Sequence, residues 1–316
     1  MVPPRRDYAL ILLASVLWGT SFPGSKLAFG TFDPLFLTFA RLALGALLGL
    51  AVLAARKRLH GTIFREPIVW ALGAVNAAGF ILQNEGILLT TASKTALLVN
   101  VNIVFIAILM VLFFRERMPA TKVAGIVIGV CGVVVLATKL DPTSLAGGQF
   151  EGDLLVFAAG VLWAFYVVGM KKRADRGEDH VAMTAGILAT SAVVAAVPLT
   201  FAGWPLPTSE TGWLGILYLG LVPTFAPLML YVASLRTISP TISSLLILLE
   251  VVVASILSVL MFQDPFDAFT LAGGALILFG AYVVVRGEPG PSGAVAGGLS
   301  AVPGDGPVPR PDREDR

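Results

Sequence analysis

The chain has 316 residues, of which 56% are hydrophobic and 13% charged, and its mean hydropathy is +0.86. A soluble domain carries about 25% charged residues, so this charge is too sparse for a water-facing surface and the composition is that of a membrane protein. The net charge of +2 gives no argument for a nucleic-acid partner, and the single cysteine, Cys131, excludes an intrachain disulfide and a cysteine-rich metal site.

Apolar stretches bounded by charged or turn-forming residues predict ten membrane-spanning helices. They lie at 8–29, 34–55, 68–89, 95–114, 120–138, 153–170, 181–201, 211–234, 239–262 and 268–286. Each approaches the roughly 20 residues that cross a hydrocarbon core. Helices satisfy their backbone polar groups within the segment and the alternation of a membrane barrel is absent, so the fold class is all-α integral membrane. The first stretch follows Arg5 and Arg6 as a secretory signal would. It lacks a clear small-residue cleavage site and its pattern recurs later, so it is read as a span.

Lys and Arg set the orientation. With the N-terminus cytoplasmic, the inner loops carry Arg56, Lys57, Arg58 and Arg65, then Arg115 and Arg117, then Lys171, Lys172, Arg173 and Arg176, and then Arg236. The outer loops keep Lys94 and Lys139. Arg286 returns the chain to the inside, and residues 287–316, rich in Gly and Pro, read as a disordered cytoplasmic tail. The expectation is a multi-pass protein of the inner (cytoplasmic) membrane with both termini cytoplasmic.

The ten stretches divide into two. Val16-Leu17-Trp18 in the first reappears as Val161-Leu162-Trp163 in the sixth. Ala124-Gly125 and Gly132 in the fifth match Ala272-Gly273 and Gly280 in the tenth, and at the same offset Glu116 meets Asp264. Residues 1–139 and 140–286 are therefore read as two copies of a five-helix unit. Five is odd, so the second copy enters the membrane from the opposite side. Two inverted copies can exchange conformations at nearly equal energy around a shared site, which is the logic of alternating access.

The motifs along these stretches resemble those of the drug/metabolite transporter superfamily, in particular its group built from two EamA repeats. The matching segments are Leu17-Trp18-Gly19-Thr20-Ser21-Phe22, Phe39-Ala40-Arg41-Leu42, Gln83-Asn84-Glu85-Gly86, Thr90-Thr91-Ala92-Ser93, Phe114-Arg115-Glu116-Arg117, Ser239-Pro240 and Leu248-Leu249-Glu250. The resemblance covers almost all of residues 8–286. It implies a central cavity formed mainly by spans 1, 3, 4, 6, 8 and 9. The family often has proline in its fourth and ninth spans, where this chain has Ile103 and Val251, so a weaker or absent helix break is expected there. Asp264 stands where the family more often has Glu.

Polar residues within the spans are the candidate site, since a charge at the bilayer centre costs about 2.5–3.5 kcal/mol on insertion scales and normally faces a cavity or a partner. Glu250, near the middle of the ninth span, is either a proton or cation site or an acid hydrogen-bonded to a neighbouring helix. Arg41 and Glu85 both lie roughly 7–11 Å below the outer surface. An ion pair between them is the preferred reading, and Arg41 as anchor for a substrate carboxylate, with Glu85 as a gate or proton site, is the alternative. Asn76 and Gln83 share one helical face and, with Asn84, Asn100 and Asn102, form an amide group suited to lining a polar cavity. Each Asn taken singly is better explained by interhelical hydrogen bonding, and the cluster together by a cavity lining. Trp18 and Trp163, at equivalent mid-span positions, and Tyr166 form a candidate aromatic wall. Gly19, Pro23, Gly24, Pro223 and Pro227 permit bending, and Lys26 is placed to snorkel to the interface.

No phosphate-binding loop and no His and carboxylate metal motif occurs in the sequence, and His60 and His180 fall in charged loops. The reading is therefore a secondary carrier, without cofactor or metal and not an enzyme, monomeric or homodimeric. It moves a small metabolite such as an amino acid or a related amphipathic compound, with protons as the candidate coupling ion. A membrane-embedded enzyme using Glu85 or Glu250, or a small-molecule sensor using the same cavity, is the competing reading.

Overall fold

Two aspartates start helices in the same way. The Asp33 carboxylate accepts from the backbone N–H of Leu35 at 2.9 Å and Phe36 at 3.1 Å, and Asp179 accepts from Val181 at 3.0 Å and Ala182 at 3.5 Å. Each satisfies donors that a first helical turn leaves open. The computed structural model describes residues 5–58, 64–114, 119–141, 148–174, 179–204, 206, 210–234, 246–264 and 266–286. Among these residues the regular structure is helical throughout.

The helices are α1 (Arg5–Gly19), α2 (Ser21–Ala28), α3 (Pro34–Ala55), α4 (Pro67–Leu89), α5 (Ala92–Val99), α6 (Asn102–Phe114), α7 (Ala120–Thr138), α8 (Gly148–Ala174), α9 (His180–Ala202), α10 (Glu210–Gly220), α11 (Ala226–Ser234), α12 (Leu249–Phe262) and α13 (Ala268–Arg286), with a π-helical turn at Leu221–Phe225 between α10 and α11. Seven helical stretches among the described residues are long and apolar enough to cross a membrane, and Leu249–Phe262 and Ala268–Val284 are shorter apolar helices. The 23-residue α4 falls outside both groups, because Asn76, Gln83, Asn84 and Glu85 dilute its apolar run. Around the bundle, side chains such as Leu47, Phe113, Phe201 and Leu260 stand exposed. An apolar surface of this kind is stable only against lipid, and the chain is a multi-pass membrane protein.

Three stretches read as single spans are interrupted. Pro223 brings no N–H to the Leu219 carbonyl, and the Thr224 hydroxyl donates to that carbonyl at 2.7 Å within the π-helical turn. At the α1–α2 junction the Thr20 hydroxyl donates to the Leu17 carbonyl at 2.7 Å. The α5–α6 break corrects the expectation drawn from Ile103. It is present without proline, because Asn100, the C-cap of α5, turns its side-chain amide back to the Ala96 carbonyl at 2.9 Å and competes with the helix ladder. In the ninth predicted span, α12 begins only at Leu249. Residues 235–245 with Ser239-Pro240 and Arg236, Arg115-Glu116-Arg117, Arg176, His60 and the tail 287–316 lie outside the described residues.

Glycines set the closest helix pairs. A Cβ on Gly125 would stand 2.7 Å from the Gly280 carbonyl oxygen, and one on Gly132 would stand 2.7 Å from the Ile277 nitrogen and 2.8 Å from the Gly273 oxygen. Rising numbers on α7 meet falling numbers on α13, so the two helices pack antiparallel, backbone against backbone. The pairs α3 with α9 and α4 with α8 are similarly intimate. There Gly49 meets Ala185, and Gly86 meets Val156 and Gly152. The main apolar cluster lies around α5, where Ala96, Leu97 and Leu98 pack with Phe22, Ile87, Val156, Val251 and Ile277.

Gly132→Val forces a side chain against main-chain atoms that have no rotamer to yield, and is expected to destabilise by about 1–3 kcal/mol. Thermal unfolding in detergent should show a lower midpoint for it. Gly148→Ala, whose Cβ meets nothing within 4 Å, should leave the midpoint in place. At the start of α13, the Lys139 ammonium at 2.6 Å and the Thr270 N–H at 2.8 Å hold the Asp267 carboxyl down at about 2. A pKa depressed by folding contributes stability above the ordinary carboxylate range, and that stability is lost as pH falls toward the folded value. Asp267→Asn should therefore abolish the part of the unfolding midpoint's acid dependence that appears between about pH 4 and about pH 2.

Candidate functional site

Arg41 is wholly buried in α3, about two turns before Gly49 closes that helix onto α9. Its guanidinium donates to three hydroxyls: Nε to Thr224 at 3.0 Å, Nη1 to Ser25 at 3.3 Å and Nη2 to Ser21 at 2.9 Å. It also lies 4.5 Å from the centre of the Phe80 ring on α4. The expected ion pair with Glu85 does not form. Thr38, one turn before Arg41 on α3, takes up Asn84 next to Glu85, while the guanidinium turns to α2 and the π-helical turn. Arg41 is thus a buried cation whose partners are neutral, and it joins the segment after the α1 break to the irregular turn before α11.

The aromatic residues form two groups. Phe80 meets Trp163 edge-to-face with ring centres 4.9 Å apart, and Trp163 meets Tyr166 in the same manner at 5.8 Å. Separately, Tyr231 packs edge-to-face on Trp18 with ring centres 5.5 Å apart. The first group, on α4 and α8, has the Arg41 guanidinium at one end, and the second joins α1 to α11.

The amides disperse among different helix pairs. Asn76 donates to Ser191 on α9 at 2.9 Å, Asn84 donates to Thr38 on α3 at 2.7 Å, and Asn100 donates to Glu250 on α12 at 2.9 Å. For Asn76 and Asn84 this is the interhelical role that each Asn taken singly suggested. Gln83 is buried and Asn102, at the α5–α6 break, is partly exposed. The Asn84 Oδ1 is buried without a hydrogen-bond partner. Asn100 is distinct, because it both makes the break and presents its amide to the Glu250 carboxyl, so a change in Glu250 acts directly on a discontinuous helix. Glu85 is partly exposed on α4. Lys26 does more than snorkel. It donates to the Thr90 carbonyl at 3.1 Å and pairs with Asp264 at 3.4 Å.

Sequence reasoning passed over Ser21, Ser25, Thr38, Thr224, Phe80, Tyr231 and Asp153. Ser25 and Thr224 stand beside Gly24 and Pro223, residues already marked as bend points, and that adjacency was the available signal. Phe80 and Tyr231 carried none, since an aromatic in an apolar run is ordinary composition.

The profile of the EamA-like transporter family matches residues 6–138 and again 150–286. An uncharacterized transporter of Archaeoglobus fulgidus is 24% identical over 290 residues, covering 89% of this chain and 99% of that protein. A probable terminal-alkyne amino-acid exporter of Streptantibioticus cattleyicolor is 25% identical over 285 residues, covering 87% of this chain and 92% of that protein. A crystal structure with 22% sequence identity aligns over 88% of this chain and 96% of its own with a TM-score of 0.64, a shared fold. The chain belongs to the EamA-like transporter family.

Proposed function

We propose that this protein is a secondary carrier of ten spans, built as two inverted five-helix repeats, that moves a small amphipathic metabolite such as an amino acid across the cytoplasmic membrane by alternating access. The observation that carries this reading is the α7–α13 contact. Gly125 meets Gly280 and Gly132 meets Gly273. If Gly125 corresponds to Gly273 and Gly132 to Gly280, exchanging the repeats turns the first contact into the second. A two-fold axis relating antiparallel helices lies across them, hence in the membrane plane, which is the relation an inverted repeat requires. The matching N-caps Asp33 and Asp179 support the same correspondence.

The site residues support the substrate class. A buried guanidinium with only neutral partners is under-compensated in a low dielectric and favours an anionic group. The ring groups Phe80–Trp163–Tyr166 and Trp18–Tyr231 suit an apolar body, and Gln83, Asn84 and Asn102 are candidate polar groups on α4 and α6. The amino-acid exporter among the relatives points to the same class. Glu250, held by Asn100, and Glu85 are the proton-coupling candidates. The Lys and Arg asymmetry of the loops supports cytoplasmic termini.

Solute counterflow in proteoliposomes tests the reading, with a panel of amino acids and amphipathic metabolites and with or without a pH gradient. A carrier exchanges a labelled solute for an unlabelled one, an enzyme converts it, and a sensor only binds it. The reading fails if the folded, reconstituted protein exchanges nothing from the panel while converting or only binding a member of it. Arg41→Lys keeps the charge but loses the planar fork, and is expected to lower exchange of carboxylate-bearing solutes by about tenfold or more. Equal loss for solutes without a carboxylate would remove Arg41 from substrate recognition. Glu250→Gln retains an acceptor for Asn100 and is expected to preserve exchange while abolishing accumulation driven by the pH gradient. Accumulation at the native level would exclude Glu250 from coupling.

A further inference from the structure

At the end of the bundle remote from Arg5, a chain of polar contacts runs from one half of the sequence to the other. The Lys94 ammonium lies 2.5 Å from Asp153 Oδ2, with the two side chains 4% and 1% exposed. The Thr90 hydroxyl donates to Asp153 Oδ1 at 2.6 Å, and the Thr90 carbonyl accepts from Lys26 at 3.1 Å. Lys26 then pairs with Asp264 Oδ1 at 3.4 Å and stands 5.4 Å from the Phe262 ring centre. Asp264 Oδ2 accepts from the Ala92 N–H at 3.2 Å and from the Ser258 hydroxyl. Lys26, Thr90, Ala92 and Lys94 belong to residues 1–139, whereas Asp153, Ser258 and Asp264 belong to residues 140–286. Both ion pairs therefore join the halves, and they do so where α2, α4, α5, α8 and α12 end or begin.

The chemistry of the contact indicates its purpose. A buried ion pair adds little stability compared with apolar side chains of the same volume, because desolvation offsets its attraction. Losing one partner is costly, since the other is left as a buried charge. An apolar seal stays shut when water approaches, whereas separated ions regain hydration once water reaches them. An ion-pair seal is therefore suited to a joint that must open and close. At the opposite end the halves are bridged by Arg58 with Asp179 at 3.4 Å and Arg173 with Glu66 at 2.5 Å. The first of these pairs is largely exposed, and Glu66 is 46% exposed in the second. Exposed pairs contribute little. Among the described residues, the ion pair with both partners nearly excluded from solvent is at the Asp153 end.

We propose that Lys94 with Asp153 and Lys26 with Asp264 form the gate at this end, closed in the present conformation and parted during each transport cycle. The assignment rests on the carrier reading above, and the experiment separates failure of the one from failure of the other. Cys131 is exposed and is replaced by alanine, and spin labels go at the exposed positions Gly30 and Phe266 beside the gate. The distance between them is measured in liposomes with and without solute, alongside counterflow. Solute should add a longer-distance population in the otherwise native protein. Asp153→Asn, leaving Lys94 unpaired, should shift the closed-to-open ratio toward open by about a hundredfold.

The double variant Lys94→Met with Asp153→Leu replaces the ions by an apolar seal and remains informative if the single variant fails to fold. It should keep its thermal stability and the short distance while counterflow falls by about tenfold or more. A purely structural pair predicts native counterflow in that folded double variant, and this result would overturn the gate. If the otherwise native protein exchanges no solute and shows one distance throughout, the carrier reading fails and the gate falls with it. If it exchanges solute while the distance is the same in every variant, the gate assignment alone is lost.

Discussion

Inside a bilayer there is no water to satisfy a polar group, so every donor, acceptor and charge that enters must be answered by the protein. Arg41 is the group on which this constraint falls hardest. Its answers are the hydroxyls of Ser21, Ser25 and Thr224 and the face of Phe80. Thr224 also donates to Leu219 to close the gap made by Pro223, so one hydroxyl serves both the guanidinium and an irregular turn. The places where the backbone departs from α geometry are thereby tied to the buried charge. Moving the α10–α11 turn changes the environment of Arg41, and drawing an anion to Arg41 changes what holds that turn.

The same economy appears at the α5–α6 break. Asn100 breaks the helix with one side-chain amide that also reaches Glu250 on α12. Two helix interruptions in different parts of the bundle are thus each coupled to one ionisable side chain, a cation in α3 and an acid in α12. In the proposed repeat these are not equivalent positions, so the halves share their backbone plan without sharing their charges. Shared backbone gives two states of comparable packing, and unequal charges give each state its own response to solute and protons.

Much of the fold was legible because its signals are additive along the chain. Apolar runs of membrane length and the glycine pairs of α7 and α13 are local features with one dominant physical meaning. The break at Asn100 was misjudged because proline is not the only way to interrupt a helix. A side-chain amide competing for the carbonyl one turn back does so without any mark in the hydropathy. The site was less legible, and for a different reason. Depth along a helix can be counted, and it placed Arg41 and Glu85 at similar levels, but rotation about the axis decides partners. Thr38 and Asn84 share the α3–α4 contact, and Arg41 turns to α2 instead.

That distinction also bears on how the protein can move. At the contact between α7 and α13, Gly125, Gly132, Gly273 and Gly280 bring backbone close to backbone, so sliding meets main-chain atoms at once. Such a pair moves as a rigid unit. The Lys26–Asp264 and Lys94–Asp153 contacts are made instead by the ends of side chains, whose separation is relieved by water. The molecule therefore divides by the chemistry of its joints. Close-packed glycine seams hold helices together through the cycle, and polar seams at the bundle's end are where they can part.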